Sequence, residues 1–221
     1  LSINNTSYKF ANDYGESTDL YIDSHNSEKY SPITNTNSDW IITASSTNTN
    51  SNGVEVEKAE YAIDNITSTI WHSLINPQEY CPHWLMIELP KETWLGALNY
   101  VPRQEKTAGI CTGYEVHVST DGKNFTKVSE GTWENNAETK TAYFDKIVLA
   151  KYVKFVMTDS VREFGSASEI YFLGPTINSL NIQNNSDNAV NINNIKLRTN
   201  ITINSNFTNE SGYISISDGG I

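Results

Sequence analysis

Cysteine is scarce, with two residues in 221, which excludes a disulfide framework and a cysteine-built zinc site. Basic side chains are also few: 15 Lys and Arg stand against 26 Asp and Glu, for a formal charge of −11. Phosphate neutralisation supplies most nucleic-acid affinity, so this chain is expected to bind neither nucleic acid nor an anionic membrane surface. Apolar runs reach only a few residues, far below the roughly 20 that a membrane-crossing helix needs. The chain opens on Leu1 rather than Met, and no charged-then-apolar leader follows. It is therefore expected to be a processed piece of something longer.

Aromatic residues are plentiful. Five Trp, twelve Tyr and seven Phe suffice to build a core. Composition divides the sequence into three parts. Residues 1–39 form a polar flank or linker with six Asn and no Trp; residues 40–174 hold all five Trp, both Cys and both Met; residues 175–221 contain twelve Asn. The middle part is the expected domain, because large apolar side chains are what offset chain entropy.

That middle part reads as strands. Leu85, Ile87 and Leu89 alternate with Met86 and Glu88, and Tyr114, Val116 and Val118 alternate with Glu115, His117 and Ser119. Asp121-Gly122 supplies turn chemistry between the second of these runs and a strand restarting at Phe125. Tyr152–Val156 and Ile170–Leu173 are further β-branched and aromatic runs, and capped helical patterns are scarce. The expected fold class is all-β, a sandwich or barrel with β-rich flanks. In the C-terminal part, Ile192, Ile195, Leu197, Ile201 and Ile203, then Tyr213, Ile214 and Ile216, suit strands. These belong either to a second β domain or to a small sheet completed by residues 8–24.

The segment Tyr61-Ala62-Ile63-Asp64-Asn65-Ile66-Thr67-Ser68-Thr69-Ile70-Trp71-His72-Ser73 carries the clearest chemistry. An acid followed five residues later by a hydroxyl suits a tight loop with converging oxygens, as a hard cation such as calcium requires. It equally suits a surface loop closed by an Asx turn. The segment resembles the Ala-x-Asp-Gly-Asn-x-x-Thr-x-Trp-His-Ser/Thr signature of discoidin (coagulation factor 5/8 type C) domains, and among them family 32 carbohydrate-binding modules. Further pieces follow in family order: Pro82-His83-Trp84-Leu85-Met86-Ile87-Glu88-Leu89, Tyr100-Val101-Pro102-Arg103-Gln104, Tyr114 through Phe125, and Phe164-Gly165-Ser166-Ala167-Ser168-Glu169-Ile170.

This resemblance implies a jelly-roll β-sandwich over residues 40–174 and a structural Ca2+ ion. Asp64 and Glu169 would supply carboxylates, Thr69 its hydroxyl and carbonyl, and Tyr61, Ile66 and Ser168 backbone carbonyls. Asn65 stands where the family has Gly, and Asn tolerates positive φ better than other side chains. The resemblance also implies a sugar site. His72 and Arg103 would hydrogen-bond ring hydroxyls, and Phe164 would stack on the apolar sugar face. Two positions depart from the family: Ala108 replaces an Asn, at a loss of about 1 kcal/mol of hydrogen bonding, and Ile75 replaces an aromatic. Both allow a changed specificity.

Other singled-out residues have structural readings. Trp71 and Trp84 read as core, Trp94 and Trp133 as core or partly exposed, and His83 and His117 as structural or solvent-facing. Cys81 and Cys111 either pair across the loops or remain buried thiols. No Gly-rich phosphate loop, His-Glu-x-x-His or Gly-x-Ser-x-Gly motif marks an enzyme. The expectation is thus a non-catalytic, monomeric module of a secreted or cell-surface bacterial protein. Its parent would be a glycoside hydrolase or a glycoprotein-acting peptidase. Its partners would be glycans ending in galactose, N-acetylgalactosamine or N-acetylglucosamine. The rival readings are a discoidin-type adhesion module for proteins or phospholipid head groups, and a spacer. Convergence of His72, Arg103 and Phe164 on one patch discriminates between them.

Overall fold

The computed structural model describes residues 30–36, 38–105 and 107–175, with the strand backbone at 2–3, 6–7, 18–23, 180–181 and 192–198. The chain divides into two compact units, one of residues 1–30 with 175–221 and the other of Ser31–Gly174. The first unit contributes β1 (Ser2–Ile3), β2 (Thr6–Ser7) and β3 (Thr18–Asp23). The second contributes β4 (Tyr30–Ile33), β5 (Ile41–Ala44), β6 (Asn48–Thr49), β7 (Glu55–Glu57), β8 (Trp71–His72) and β9 (His83–Val101). It continues with β10 (Cys111–Ser119), β11 (Thr126–Thr132), β12 (Lys140–Ser160), β13 (Ser166–Ala167) and β14 (Glu169–Pro175). The first unit resumes with β15 (Leu180–Asn181) and β16 (Ile192–Arg198).

In the first unit, β1 pairs antiparallel with β2 and β15, and β16 pairs parallel with β3. Ile192, Ile195 and Leu197 thus lie on a strand whose partner falls within residues 8–24. The strands expected at 199–204 and 213–216 lie outside the described residues.

The larger unit is an antiparallel β-sandwich built on two long strands, β9 of 19 residues and β12 of 21. They pair in three stretches, Lys140–Tyr143 against Tyr100–Ala97, Val148–Ala150 against Leu95–Thr93 and Tyr152–Met157 against Glu88–His83, with register shifts between. On either side of those shifts β9 has different neighbours, β5 at Leu85–Glu88 and β14 at Ala97–Val101. One layer runs β11-β10-β12-β9-β5 and the other runs β12-β9-β14-β4. The sandwich therefore has one continuous hydrogen-bonded backbone rather than two separate sheets.

The first layer keeps the alternation expected of a half-buried sheet. Leu85, Ile87 and Leu89 are buried, as are Val116 and Val118, while Met86, Glu88 and His117 are half-exposed. Trp71 is fully buried. Trp84, expected in the core, is only half-buried: it faces outward between His83 and Leu85, and the Lys154 ammonium lies 4.7 Å from its ring centroid. Trp133 is half-buried and stacks on Tyr114, with ring centroids 3.8 Å apart.

The Asp121-Gly122 turn forms as its chemistry suggests. Asp121 Oδ1 accepts from the backbone amides of Lys123 and Asn124, both at 2.8 Å, and Gly122 takes φ +71°. Those amide bonds hold the Asp121 carboxyl well below the usual range. Residues 31–36, 38 and 39, grouped by composition with the polar flank, belong to the larger unit. Asn35 explains this: it is buried, with Nδ2 donating to Ile63 O and Oδ1 accepting from Trp40 N.

Phe155 is fully buried, with ring centroids 5.5 Å from Tyr100 and 6.1 Å from Trp133, whereas Ile41 is 60% exposed. Phe155→Ala is expected to cost about 3–5 kcal/mol of stability in denaturant unfolding, and Ile41→Ala less than about 0.5 kcal/mol. Equal costs would contradict this placement of the core.

Candidate functional site

Three chain segments meet beside the sandwich strands: residues 71–74, 103–105 with 107–110, and 161–166. Backbone pairing joins the first and third, with Ser166 opposite His72 and Ala167 opposite Trp71. Beyond this pairing, Ser73 N donates to Gly165 O at 2.8 Å, and Gly165 N donates to Ser73 Oγ at 2.9 Å. A Cβ on Gly165 would come within 2.7 Å of the Trp71 ring, so only glycine lets the segments approach this closely. The second segment joins through Gly109, whose N donates to Val161 O and whose O accepts from Ser166 N. Gly109 has φ +88°, and a Cβ there would meet Ser166 Oγ at 2.6 Å.

His72, Arg103 and Phe164 are brought together by these bonds. The His72 and Phe164 ring centroids are 5.2 Å apart, at an interplanar angle of 49°. The His72 Nδ1–H donates to Ser73 O at 2.8 Å, which leaves Nε2 as the acceptor of a neutral ring. Burial pushes the His72 pKa below its ordinary value; the Ser73 carbonyl and Glu57 oppose this, while Arg103 and His83 add to it. Arg103 spends one arm of its fork on Ala108 O, at 3.1 Å, and its buried Nε has no protein partner. This contact is to a backbone carbonyl, so it does not depend on the side chain at position 108. Ile75 is 43% exposed on the neighbouring loop.

The Asp64 loop lies at the start of β14. Asp64 Oδ1 accepts from Ile66 N at 2.8 Å, which is an Asx turn, and Thr69 Oγ1 lies 2.8 Å from Asp64 Oδ2 and 2.7 Å from Ile66 O. Asn65 adopts φ +62°, as its place in the loop suggested, and its Nδ2 donates to Asn35 O. Glu169 is buried, and its Oε2 has no hydrogen-bond partner. Its carboxyl is pushed up to about 7, first by burial and then by the Asp64 charge, against the backbone amides of Asn65, Ile170 and Ile66.

Asp64, Ile66, Thr69 and Glu169 are therefore gathered. Ser168 adjoins them with a buried Oγ that lacks a partner, and Tyr61 lies on the 3-10 turn Ala59–Ala62 that precedes Asp64. No group of three or more His, Cys, Asp or Glu suited to a metal occurs among the described residues. Two carboxylates with neutral oxygens nevertheless fit a hard cation, which takes many of its ligands from carbonyls and hydroxyls. The unpartnered Glu169 oxygen beside a second carboxylate is the observation in favour of that fit.

Cys81 and Cys111 are free thiols: Cys81 Sγ lies 3.1 Å from Ser160 Oγ, and Cys111 donates to Gly113 O. His83 is buried with Nε2 2.9 Å from Glu163 O, and His117 bonds Glu115 at 2.8 Å. Ser73 and Gly165, quoted in the sequence only as members of their motifs, and Asn35, not singled out there at all, position the site. Asn35 gave little signal, since a polar residue in a polar stretch looks like ordinary loop.

An all-β sandwich with a loop-built polar and aromatic face is the architecture of a discoidin-type binding domain. Residues 41–170, more than half of the chain, match the F5/8 type C domain, and the chain belongs to that family. Over 120 residues it is 29% identical to an A type blood N-acetyl-alpha-D-galactosamine deacetylase of Flavonifractor plautii, covering 53% of this chain but 15% of that protein. Among solved structures it is similar to CpGH89CBM32-5 of Clostridium perfringens, in complex with GalNAc-β-1,3-galactose. That match has 34% identity and TM-score 0.59, over 64% of this chain and 99% of that one. It is also similar to the family 32 carbohydrate-binding module of C. perfringens NanJ, in complex with galactose. There the identity is 29% and the TM-score 0.57, over 65% of this chain and 98% of that one.

The His72 arrangement predicts a pH dependence. A folded pKa below the unfolded value of about 6.5 means that the unfolded chain binds more protons in that window. The associated stability is complete above about pH 6.5 and is lost as the pH falls towards the folded pKa. Thermal melts between pH 7 and 5 should fall further for the wild type than for His72→Gln. Parallel slopes would show that His72 is not held neutral by burial.

Proposed function

We propose that this domain is a non-catalytic carbohydrate-binding module for glycans ending in galactose or an N-acetylated amino sugar. The observation that carries the reading is the convergence of His72, Arg103 and Phe164 on one loop-built face. Their chemistry is complementary. The His72 Nε2 offers an acceptor, the Arg103 guanidinium offers N–H donors beyond the one spent on Ala108 O, and Phe164 offers an aromatic surface to the C–H face of a sugar. The two solved relatives were determined with galactose and with GalNAc-β-1,3-galactose, which favours the same ligand class.

Affinity for one sugar should be weak, because hydroxyl contacts exchange for water and a shallow face buries little area. Such a module works by raising the local concentration of whatever is attached to it. The parent in this reading is a secreted or cell-surface bacterial protein acting on glycans. A structural Ca2+ would be held by the Asp64 and Glu169 carboxylates, the Thr69 hydroxyl and carbonyl, and the carbonyls of Tyr61, Ile66 and Ser168. It would compensate the charge of the two carboxylates and tie the 64–69 loop to β14.

A glycan array in the presence of calcium should show selective binding to terminal galactose or N-acetylgalactosamine. Arg103→Ala should weaken it about ten- to a hundredfold, the scale of one hydrogen bond to a charged group. A blank array from folded protein would favour the adhesion or spacer reading. Calcium should also raise the melting temperature of the wild type and leave that of Glu169→Gln nearly unchanged. Equal shifts in both would remove Glu169 from the cation site.

A further inference from the structure

The loop between Leu74 and Cys81 leads away from His72 and is fastened to the segment that carries Phe164. Gln78 Nε2 donates to Arg162 O at 3.0 Å, His83 Nε2 lies 2.9 Å from Glu163 O, and Cys81 Sγ lies 3.1 Å from Ser160 Oγ. The loop is also closed on itself, with Glu79 N donating to Leu74 O at 3.4 Å. Arg162 and Glu163 are consecutive non-glycine residues at φ +62° and +61°, a conformation that persists only where the surroundings enforce it. Gln78 and His83 hold the carbonyls of these same two residues, so the loop and the approach to Phe164 form one braced unit.

On this loop Tyr80 is 66% exposed, more than any other large hydrophobic side chain among the described residues. An aromatic ring turned to water, on a loop that starts just after His72 and Ser73 and is bonded to the two residues before Phe164, is suited to contact with a ligand.

We infer that Tyr80 forms a second subsite, stacking on the sugar next to the terminal residue of an uncharged glycan. This rests on the sugar reading above and extends it from one sugar ring to at least two. The preference for an uncharged second sugar follows from the surroundings. Burial pushes the Cys81 thiol up, and the carboxylates of Glu163 and Asp159 push it in the same direction, which places both beside the loop. Glu79 is exposed next to Tyr80, and Arg162 is exposed on the facing segment. Three carboxylates against one guanidinium repel a sulfated sugar.

Calorimetric titration with N-acetylgalactosamine, GalNAc-β-1,3-galactose and the same disaccharide sulfated on its galactose tests this. The wild type should bind the neutral disaccharide about three- to tenfold more tightly than the monosaccharide, the scale of one stacking contact. The sulfated form should lose that gain. Tyr80→Ala should also lose the gain while binding the monosaccharide within about twofold of wild type, and Tyr80→Phe should retain it, as expected of one stacking ring. Equal wild-type affinity for monosaccharide and disaccharide would overturn the subsite and leave the primary sugar site standing. So would a Tyr80→Ala variant that keeps the gain. Failure of the folded wild type to bind either sugar would overturn the sugar reading and this inference together.

Discussion

A buried carboxylate beside another carboxylate is the constraint on which the loop face depends. Glu169 opens β14, and burial together with the charge of Asp64 raises its pKa. A second acid placed next to a buried one is unfavourable unless something compensates the charge. The backbone supplies part of that compensation through the amides of Asn65, Ile66 and Ile170. The proposed cation would supply the rest. What is fixed at Glu169 is transmitted along the chain, because Ser166 and Ala167 immediately precede it and pair with His72 and Trp71.

The face itself is a division of labour between backbone and side chains. Reciprocal bonds between Ser73 and Gly165, and between Gly109 and its partners Val161 and Ser166, bring three segments together. Backbone contacts hold much of the geometry, and the Nε of Arg103 is left without a protein partner. Sites on loops are commonly imprecise; here the two close glycine contacts, each too tight for a Cβ, make the loops behave as a packed unit. Beneath them, β9 and β12 run through both layers and give the loops a common foundation.

Much of this was legible in the sequence where one face of a strand is buried and the other is not. Leu85, Ile87 and Leu89 alternate in burial as their spacing indicates. The same strand becomes unreadable at Ala97-Leu98-Asn99-Tyr100, where all four residues are buried and the period vanishes. Asn65 at positive φ was legible because few side chains tolerate that conformation. Arg162 and Glu163 were not, since nothing in their chemistry announces a left-handed backbone; tertiary bonds from Gln78 and His83 impose it. Asn35 was hidden for a related reason. A polar residue in a polar stretch gives no sign that it will be buried 28 residues away from the loop it braces.

The central claim is that His72, Arg103 and Phe164 form one sugar-binding face. NMR titration with N-acetylgalactosamine tests it most directly, because the Arg103 Nε–H has its own resonance. The account predicts shifts confined to that signal and to the amides of His72, Gly109, Phe164 and their neighbours, with the 120–125 turn unmoved. Saturable binding that leaves the Arg103 Nε–H unshifted, or shifts clustered on another surface, would contradict it.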